Sequence, residues 1–552
     1  MAMTWTIENT PEGLFRLLLD LVAVRSISLT PGEVEIAEKI EESLRALPYF
    51  RSNPDDLRFI PIPGDALGRK SVMALVRAQP ATRKTIVVIG HADVVGAEPY
   101  GSLADLAFDP LALSAYLRNE DLSPEVRADL ESGDFLFGRG VGDMKAGVAI
   151  GMALVAERSA DPSSLGANLL FLALVDEEIS SAGMRAAVPV LAELQEELDF
   201  VACLNTEPSD PGFSQGRNHC FSLGTAGKHN LFFLFAGRAS HSTAYFEGFN
   251  AILPAAHLAV LVEGNDSLTD RSPRDTFSPM GCLKLKDLRK TYSGTLPETA
   301  AAYVNLNPVH RMPGEILVSM ERFAWEALDR SLRQVKEAYL RYGEHIGQWP
   351  PRGEWHGKVL SYAELAEAAQ KHAGVGYEET LRKFIAGLPA GMEEQDRCIA
   401  VAEETLRLSG MKGPLVIYGF LPPYYPQRVT TGRTPRERAL VEAVEWAVSE
   451  GASRFGVKIE VNDYFGGVSD LSFFGYPGKA SDLEALSRNL PGWGTVFPFP
   501  EKDLPRLDVP VANIAPAGKD SHKKTERLEV PYSLKVVPRL LGGIFDRLAE
   551  GE

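Results

Sequence analysis

The chain has 552 residues, enough for about two to four domains with a substantial core. Lysine and arginine total 57 against 74 aspartates and glutamates, a net charge of −17 that excludes the basic footprint of a nucleic-acid binder. A hydrophobic fraction of 45% with 9% aromatics excludes a disordered chain, so the acidic surplus is a solvating surface with some of it open to a cation. Cys203, Cys220, Cys282 and Cys398 form no close pair, which predicts a reducing compartment without disulfides. Met1–Gly13 lacks the basic-then-apolar pattern of a signal peptide, and no apolar run reaches the length of a membrane span. The expectation is a cytoplasmic protein with no membrane partner.

In chain order, apolar residues at helical spacing predict a helix over 14–24 and a second from Pro31 through Leu44. Residues 71–76 and the β-branched run 85–89 read as strands. A small-residue helix follows over 144–156, then a strand over 168–175, a helix over 182–198 and a strand over 200–204. This alternation implies a mostly parallel sheet covered by helices. After Gly224 the pattern changes. Strands are predicted at 229–236 and 315–320, and helices at 250–262 and 325–342. The Gly- and Pro-marked stretch 343–413 holds helical pieces with little β signal. A strand over 415–420 is expected to end at Pro422, Pro423 and Pro426. The first pattern returns with a helix over 434–448, a strand over 457–461 and a last helix near 534–548. The fold expected is α/β. A helix-covered catalytic domain of residues 1–223 and 427–552 is interrupted by an enlarged α+β domain of 224–426, itself enlarged by a helical insertion near 343–413.

Residues able to bind metal stand just past the buried strands, where open α/β sheets place ligands. The run TIVVIG leads into His91-Ala92-Asp93, with the two polar side chains on one side by strand period. The strand NLLFLALV leads into Asp176-Glu177-Glu178, three adjacent carboxylates that need a cation or a shared proton. One can ligate while its neighbour moves a proton. Glu207 follows the next strand in Thr206-Glu207-Pro208-Ser209. The stretch Gly138 to Lys145 (GRGVGDMK) opens a helix with Asp143 near its start. It fails as a phosphate loop, because Ala146 rather than Ser or Thr follows Lys145. A nucleotide-binding oxidoreductase is excluded on that ground. Far downstream stands Lys519-Asp520-Ser521-His522-Lys523-Lys524-Thr525-Glu526. His219, His257, His345, His356 and His372 lie outside any such motif.

Together and in this order, HAD, GRGVGDMKAG, DEE, TEPS and DSHKKTE resemble the two-zinc metallopeptidase family twenty of clan MH. Its relatives include succinyl-diaminopimelate desuccinylase, acetylornithine deacetylase, the aminoacylases and the glutamate carboxypeptidases. The resemblance spans essentially the whole chain. Its length and DSHKKTE ending look most like the larger bacterial arginine-utilisation branch. The resemblance implies a phosphorylase/hydrolase-like catalytic domain and an inserted lid and dimerisation domain. It implies that His91 and Glu207 bind one zinc, Glu178 and His522 the second, and Asp143 both, with a cis peptide bond after Asp143. Cobalt or manganese are the alternatives to zinc. Asp93 would orient His91. Glu177 would be the general base for a zinc-held hydroxide attacking the amide of an N-acyl amino acid or short peptide. His241, in Gly237-Arg238-Ala239-Ser240-His241-Ser242, would stabilise the oxyanion, reaching across a homodimer as it does in dimeric relatives.

For the substrate carboxylate, Arg322 matches the relatives' arginine, while His310 stands where they often carry asparagine. Asp470, in Gly466-Gly467-Val468-Ser469-Asp470, would shape the site. Fifty-two positions separate His91 from Asp143, more than in the smaller relatives, with the excess near 114–133. Further additions fall near 266–299 and 343–413, so the substrate is not transferable from those relatives. A non-catalytic binding or regulatory protein on the same scaffold would have lost the base or a ligand, and neither is lost.

Overall fold

The computed structural model describes residues 5–212, 216–389 and 391–551; positions 1–4 of the N-terminal stretch and position 390 of the expected insertion lie outside them. Before the insert the chain forms six strands of one sheet: β1 (Leu57–Pro61), β2 (Lys70–Val76), β3 (Lys84–His91), β4 (Asn168–Leu174), β5 (Asp199–Asn205) and β6 (Cys220–Ser222). Five more build a second sheet: β7 (Lys228–Ala236), β8 (Gly281–Asp287), β9 (Thr299–Leu306), β10 (Lys358–Ser361) and β11 (Leu415–Tyr425). The chain then returns to the first sheet with β12 (Glu460–Asn462) and β13 (Val511–Asn513).

The larger sheet runs β1-β2-β4-β3-β5-β13-β6-β12. Its centre, β4-β3-β5-β13, is parallel throughout, and antiparallel pairings flank it. Side-chain alternation splits the core in two. Ile86 and Val88 face the helices Pro11–Ala23, Gly32–Arg45, Ala146–Ala160, Pro435–Phe455 and Val537–Glu550. Val87 and Ile89 face the helix Ala182–Leu194 and a core continuous with the insert. Helix Ala146–Ala160 approaches the sheet closely through its glycines. A Cβ on Gly147 would sit 2.4 Å from the carbonyl oxygen of Thr206, so only glycine lets this helix pack beside Glu207.

The second sheet runs β8-β9-β7-β11-β10, antiparallel except for the β10–β11 pair. The helices Ile252–Val262 and Pro313–Ile346 pack on it, and Glu394–Ser409 packs on β11 and β7 as well. β7 is consequently buried along nearly its whole length. A short ribbon, Gly224–Thr225 against Arg428–Val429, pairs the chain where it passes from the first sheet to the second with the chain where it returns.

Several local expectations are corrected. Residues 315–320 are not a strand but the first turns of the helix Pro313–Ile346. Pro313 at its first position and buried Ile316, Met320, Phe323, Ala324 and Ala327 give it a helical stripe. The strand at 415 does not stop at Pro422 but continues, fully buried, to Tyr425. Strands β8 and β9 were not expected, because the alanine-rich TAAAYVNL of β9 carries little β propensity. The stretch 343–413 also contains one strand, β10, beside its helices. All four cysteines are free, and among the described residues no helix is long and apolar enough to cross a membrane.

Candidate metal centre

The C-terminal ends of three neighbouring parallel strands converge on one point. β3 delivers His91, the turn after β4 delivers Glu177 and Glu178, and the turn after β5 delivers Glu207. Asp143 arrives from the turn Val141–Lys145 at the head of helix Ala146–Ala160, and its peptide bond to Met144 is cis. His522 arrives from the loop between two short strands near the C-terminus.

Asp143 stands between the histidines and offers one oxygen to each. Its Oδ1 is 3.3 Å from His91 Nε2 and its Oδ2 is 3.2 Å from His522 Nε2. His91 Nε2 is also 3.5 Å from Glu207 Oε1 and 3.8 Å from Glu177 Oε2. His522 Nε2 is 3.0 Å from Glu178 Oε2. The cluster therefore divides into a His91–Glu207 side and a His522–Glu178 side joined by Asp143, with Glu177 alongside. Ligand atoms of His91, Glu177 and Glu207 lie within 4.8 Å of one another, as do those of His91, Asp143 and Glu178.

The charges are unbalanced in a way that fits cations. Asp143, Glu177 and Glu207 are buried, and the Glu178 side chain nearly so. Among the described residues no lysine or arginine forms an ion pair with any of the four. Buried carboxylates without a cation are costly. Burial pushes the Glu177 carboxyl well above its usual range, and Glu207, Asp470 and Glu178 push it further. Burial likewise raises Glu207 to about 7. Burial opposes charge on the histidines, yet the carboxylates outweigh it. His522 is raised to about 11 by Asp143 and Glu178, and His91 well above its usual value by Glu207, Asp143 and Glu177. Asp143 stays low despite burial, because both histidines bond to it. His91 Nε2 and Glu178 Oε1 are buried without a hydrogen-bond partner of good geometry. Two nitrogen and several oxygen donors, paired by a bridging carboxylate, fit two divalent ions of the zinc type.

Partners outside the ligand set hold the loops in place. His91 Nδ1 contacts the main-chain oxygen of Asp93 at 3.0 Å, so the peptide rather than the carboxylate of Asp93 makes the short contact with the ring. The Asp93 carboxylate instead accepts the amides of Glu177 at 3.1 Å and Glu178 at 3.3 Å, and the hydroxyl of Ser28 at 2.7 Å. Arg69 grips Asp176 at 2.5 Å while also meeting Glu33 and Asp65. Glu526 pairs with Arg139 and accepts the amide of Gly140 at 2.7 Å, and Arg139 donates to the His522 carbonyl at 3.2 Å. That pair ties the Asp143 loop to the His522 loop. Among the described residues, four of the five non-glycine positions with positive φ, Asp176, Ser181, Asp520 and His522, lie in these loops. Each costs on the order of 1 kcal/mol, a strain that the surrounding bonds hold in place.

Of the other expected site residues, His241, Arg322 and His310 are not brought into this set, while Asp470 lies close enough to act on Glu177. His241 is exposed at the end of β7, bonded to Thr243 and bridged to Thr295. Arg322 is exposed on the helix Pro313–Ile346, its guanidinium 5.4 Å from the Phe323 ring. His310 bonds the carbonyl of Arg271 at 3.2 Å, and its amide donates to Asp270. Asp470 is buried behind the cluster, its carboxyl raised to about 7 by burial. Arg69, Arg139 and Glu526 were not anticipated as site residues. The last two stand inside the GRGVGD and DSHKKTE motifs, which was the available signal.

The sequence profile of Peptidase family M20/M25/M40 matches residues 116–485. The "Uncharacterized protein YqjN" of Bacillus subtilis is 32% identical over 543 residues, covering 98% of this chain and 96% of that protein. "Protein RocB" of the same organism is 27% identical, covering 97% of this chain and 94% of its own length. Among solved structures, the M20 family metallo-carboxypeptidase Sso-CP2 of Sulfolobus solfataricus superposes with a TM-score of 0.53 at 12% identity, covering 97% of this chain and 99% of that one. That likeness is one of fold.

Proposed function

The chain belongs to peptidase family M20/M25/M40 and is an amide or peptide hydrolase, and from that premise we propose that it uses two zinc ions to deacylate an N-acyl amino acid or cleave a short peptide. One observation carries the metal reading: Asp143 presents one oxygen to the His91 side and the other to the His522 side. His91, Glu207 and Asp143 would hold one ion, and Glu178, His522 and Asp143 the other. When bound, such ions polarise a carbonyl and acidify water at neutral pH.

Glu177 stands beside this set without being needed as a ligand. Its carboxylate, 3.8 Å from His91 Nε2 and outside the proposed ligand set, is placed to act as a general base that takes a proton from the attacking water and passes it to the leaving amine. His241 would supply a donor to the developing oxyanion from a partner subunit, because its own subunit leaves it exposed at the tip of β7. The proposed division is a catalytic domain of 1–223 and 427–552, and a lid and dimerisation domain of 224–426. Full-length similarity to RocB supports a place with the larger branch and a substrate related to arginine or ornithine.

The test replaces Glu177 with Gln. Loaded with zinc, Glu177→Gln should retain two ions per chain. Amine release from a panel of N-acetyl and N-succinyl amino acids and dipeptides should fall by about 10²–10⁴-fold. A variant as active as the parent would overturn the assignment of the base.

A further inference from the structure

We propose that Tyr425, on the strand that leaves the insert, is a positioning residue for the Glu177 base. The idea rests on Glu177 being the base. Tyr425 ends β11, and its register partner is Lys228, where β7 enters the insert. The two residues form the rung just beyond the ribbon Gly224–Thr225 and Arg428–Val429 that links the domains. From this rung the Tyr425 hydroxyl donates to the main-chain oxygen of Glu177 at 3.1 Å. The Ser181 hydroxyl in turn donates to the Tyr425 oxygen at 3.1 Å. The phenol is 2% exposed and packs on Phe473, with ring centres 5.6 Å apart. Burial raises its pKa well above 10, so it stays a proton donor.

The base is thus held through its backbone from two domains. Asp93, just past β3, holds the amides of Glu177 and Glu178, and Tyr425 holds the carbonyl between them. These three bonds fix the plane of the Glu177–Glu178 peptide. They set where the Glu177 carboxylate starts. The Asp93 contacts belong to the catalytic sheet. The Tyr425 contact belongs to the strand that orients the insert, so the position of the insert and the position of the base are mechanically linked.

Removing only the hydroxyl tests this. Tyr425→Phe keeps the ring on Phe473 and should keep two zinc ions per chain. On the best substrate of the panel named above, kcat should fall at least about tenfold with KM within about twofold. Hydrogen exchange at amides 177–181 should be several-fold faster, with strand β4 unchanged. In the Glu177→Gln background, Tyr425→Phe should cost nothing more. Ser181→Ala, which frees the phenol without removing it, should give a smaller loss with the same kcat-only pattern. A fully active Glu177→Gln variant would refute the base itself. An inactive Glu177→Gln with parental kcat and exchange in Tyr425→Phe would refute only the Tyr425 role. Lost metal, or an equal loss of kcat in both backgrounds, would also refute that role. Should no panel compound turn over, the exchange measurement decides alone. Should Tyr425→Phe fail to fold, Ser181→Ala carries the same readouts.

Discussion

Two regions of the molecule treat their carboxylates in opposite ways. In the insert, carboxylates meet cations of the chain. Asp396 on the helix Glu394–Ser409 faces Lys286 at 2.8 Å and Lys284 at 3.1 Å, and Asp270 faces Arg311 at 3.1 Å. At the strand ends of the larger sheet, Asp143, Glu177, Glu178 and Glu207 form ion pairs, among the described residues, only with His91 and His522, while Lys228 acts on Glu177 and Glu178 from beyond ion-pair distance. Yet around that cluster the chain does supply arginines, and it aims them elsewhere. Arg69 takes Asp176 and Arg139 takes Glu526, each one step behind the ligands. A region whose charges are closed needs nothing further. A region whose arginines pair with the supporting carboxylates, leaving the central four to two metal-ligating side chains, has the donor set for ions the chain does not supply.

The sharpest way to break this contrast is at the bridge. Asp143→Ala removes the one carboxylate that touches both histidines, so both ion sites lose a donor at once. Zinc content after gel filtration should drop from two per chain to below one, and amine release should fall to background. Retention of two ions would show that the His91 and His522 sides are independent, and the bridging role would fail.

A second test uses pH. Burial lowers both histidines, but Asp143 and Glu178 raise His522 to about 11, and Glu207, Asp143 and Glu177 raise His91 well above its usual value. Both rings are thus biased toward the protonated form, which must give up its proton for a metal to bind. Folded-state pKa values above the range make proton loss the obstacle, so zinc affinity should strengthen as pH rises from 6 to 8. The expected slope is about tenfold per pH unit for each ring deprotonated. Competition with a chromophoric chelator across this range measures it. A flat profile would mean the histidines are neutral before binding, contrary to the pairing described above.

How much of this was legible in the sequence follows from distance along the chain. Each proposed ligand sits in a short motif just past a strand or at a helix start, and it was the five motifs together, through their resemblance to a known family, that singled it out. The supports are pairings across the fold. Arg139 meets Glu526 from 387 positions away, Tyr425 meets Glu177 from 248 away, and Arg69 meets Asp176 from 107 away. Arg139 and Glu526 stand inside motifs, but no local pattern announces which residues these supports pair with. The insert was harder for a different reason. β9 is an alanine-rich strand, held by its pairing with β7 and β8 rather than by propensity. The helix from Pro313 begins with EILVSM, whose apolar residues satisfy a strand template as well as a helical one. Arg322 was expected just past a strand over 315–320; the fold instead sets it on the helix Pro313–Ile346, where it is exposed.

The smallest effect should come from the closed side of the contrast. Asp396→Asn removes the carboxylate shared by Lys284 and Lys286, all three about a third exposed. Solvent screens such pairs, so the loss should be below about 1 kcal/mol, and the melting temperature should move by at most a few degrees. Burial opposes the Asp396 charge, but the two lysines win and hold its pKa below the ordinary value. Such a depressed acid stabilises the fold above the unfolded value of about 3.9 and stops doing so as pH falls through the folded value. The gap between parent and variant should therefore be present at pH 7 and close under acid. Zinc content and kcat should not change, because the pair holds a helix to the second sheet and touches no ligand loop. A large loss of metal in Asp396→Asn would mean that the charge of the insert is coupled to the centre, and the separation between a closed region and an ion-dependent one would collapse.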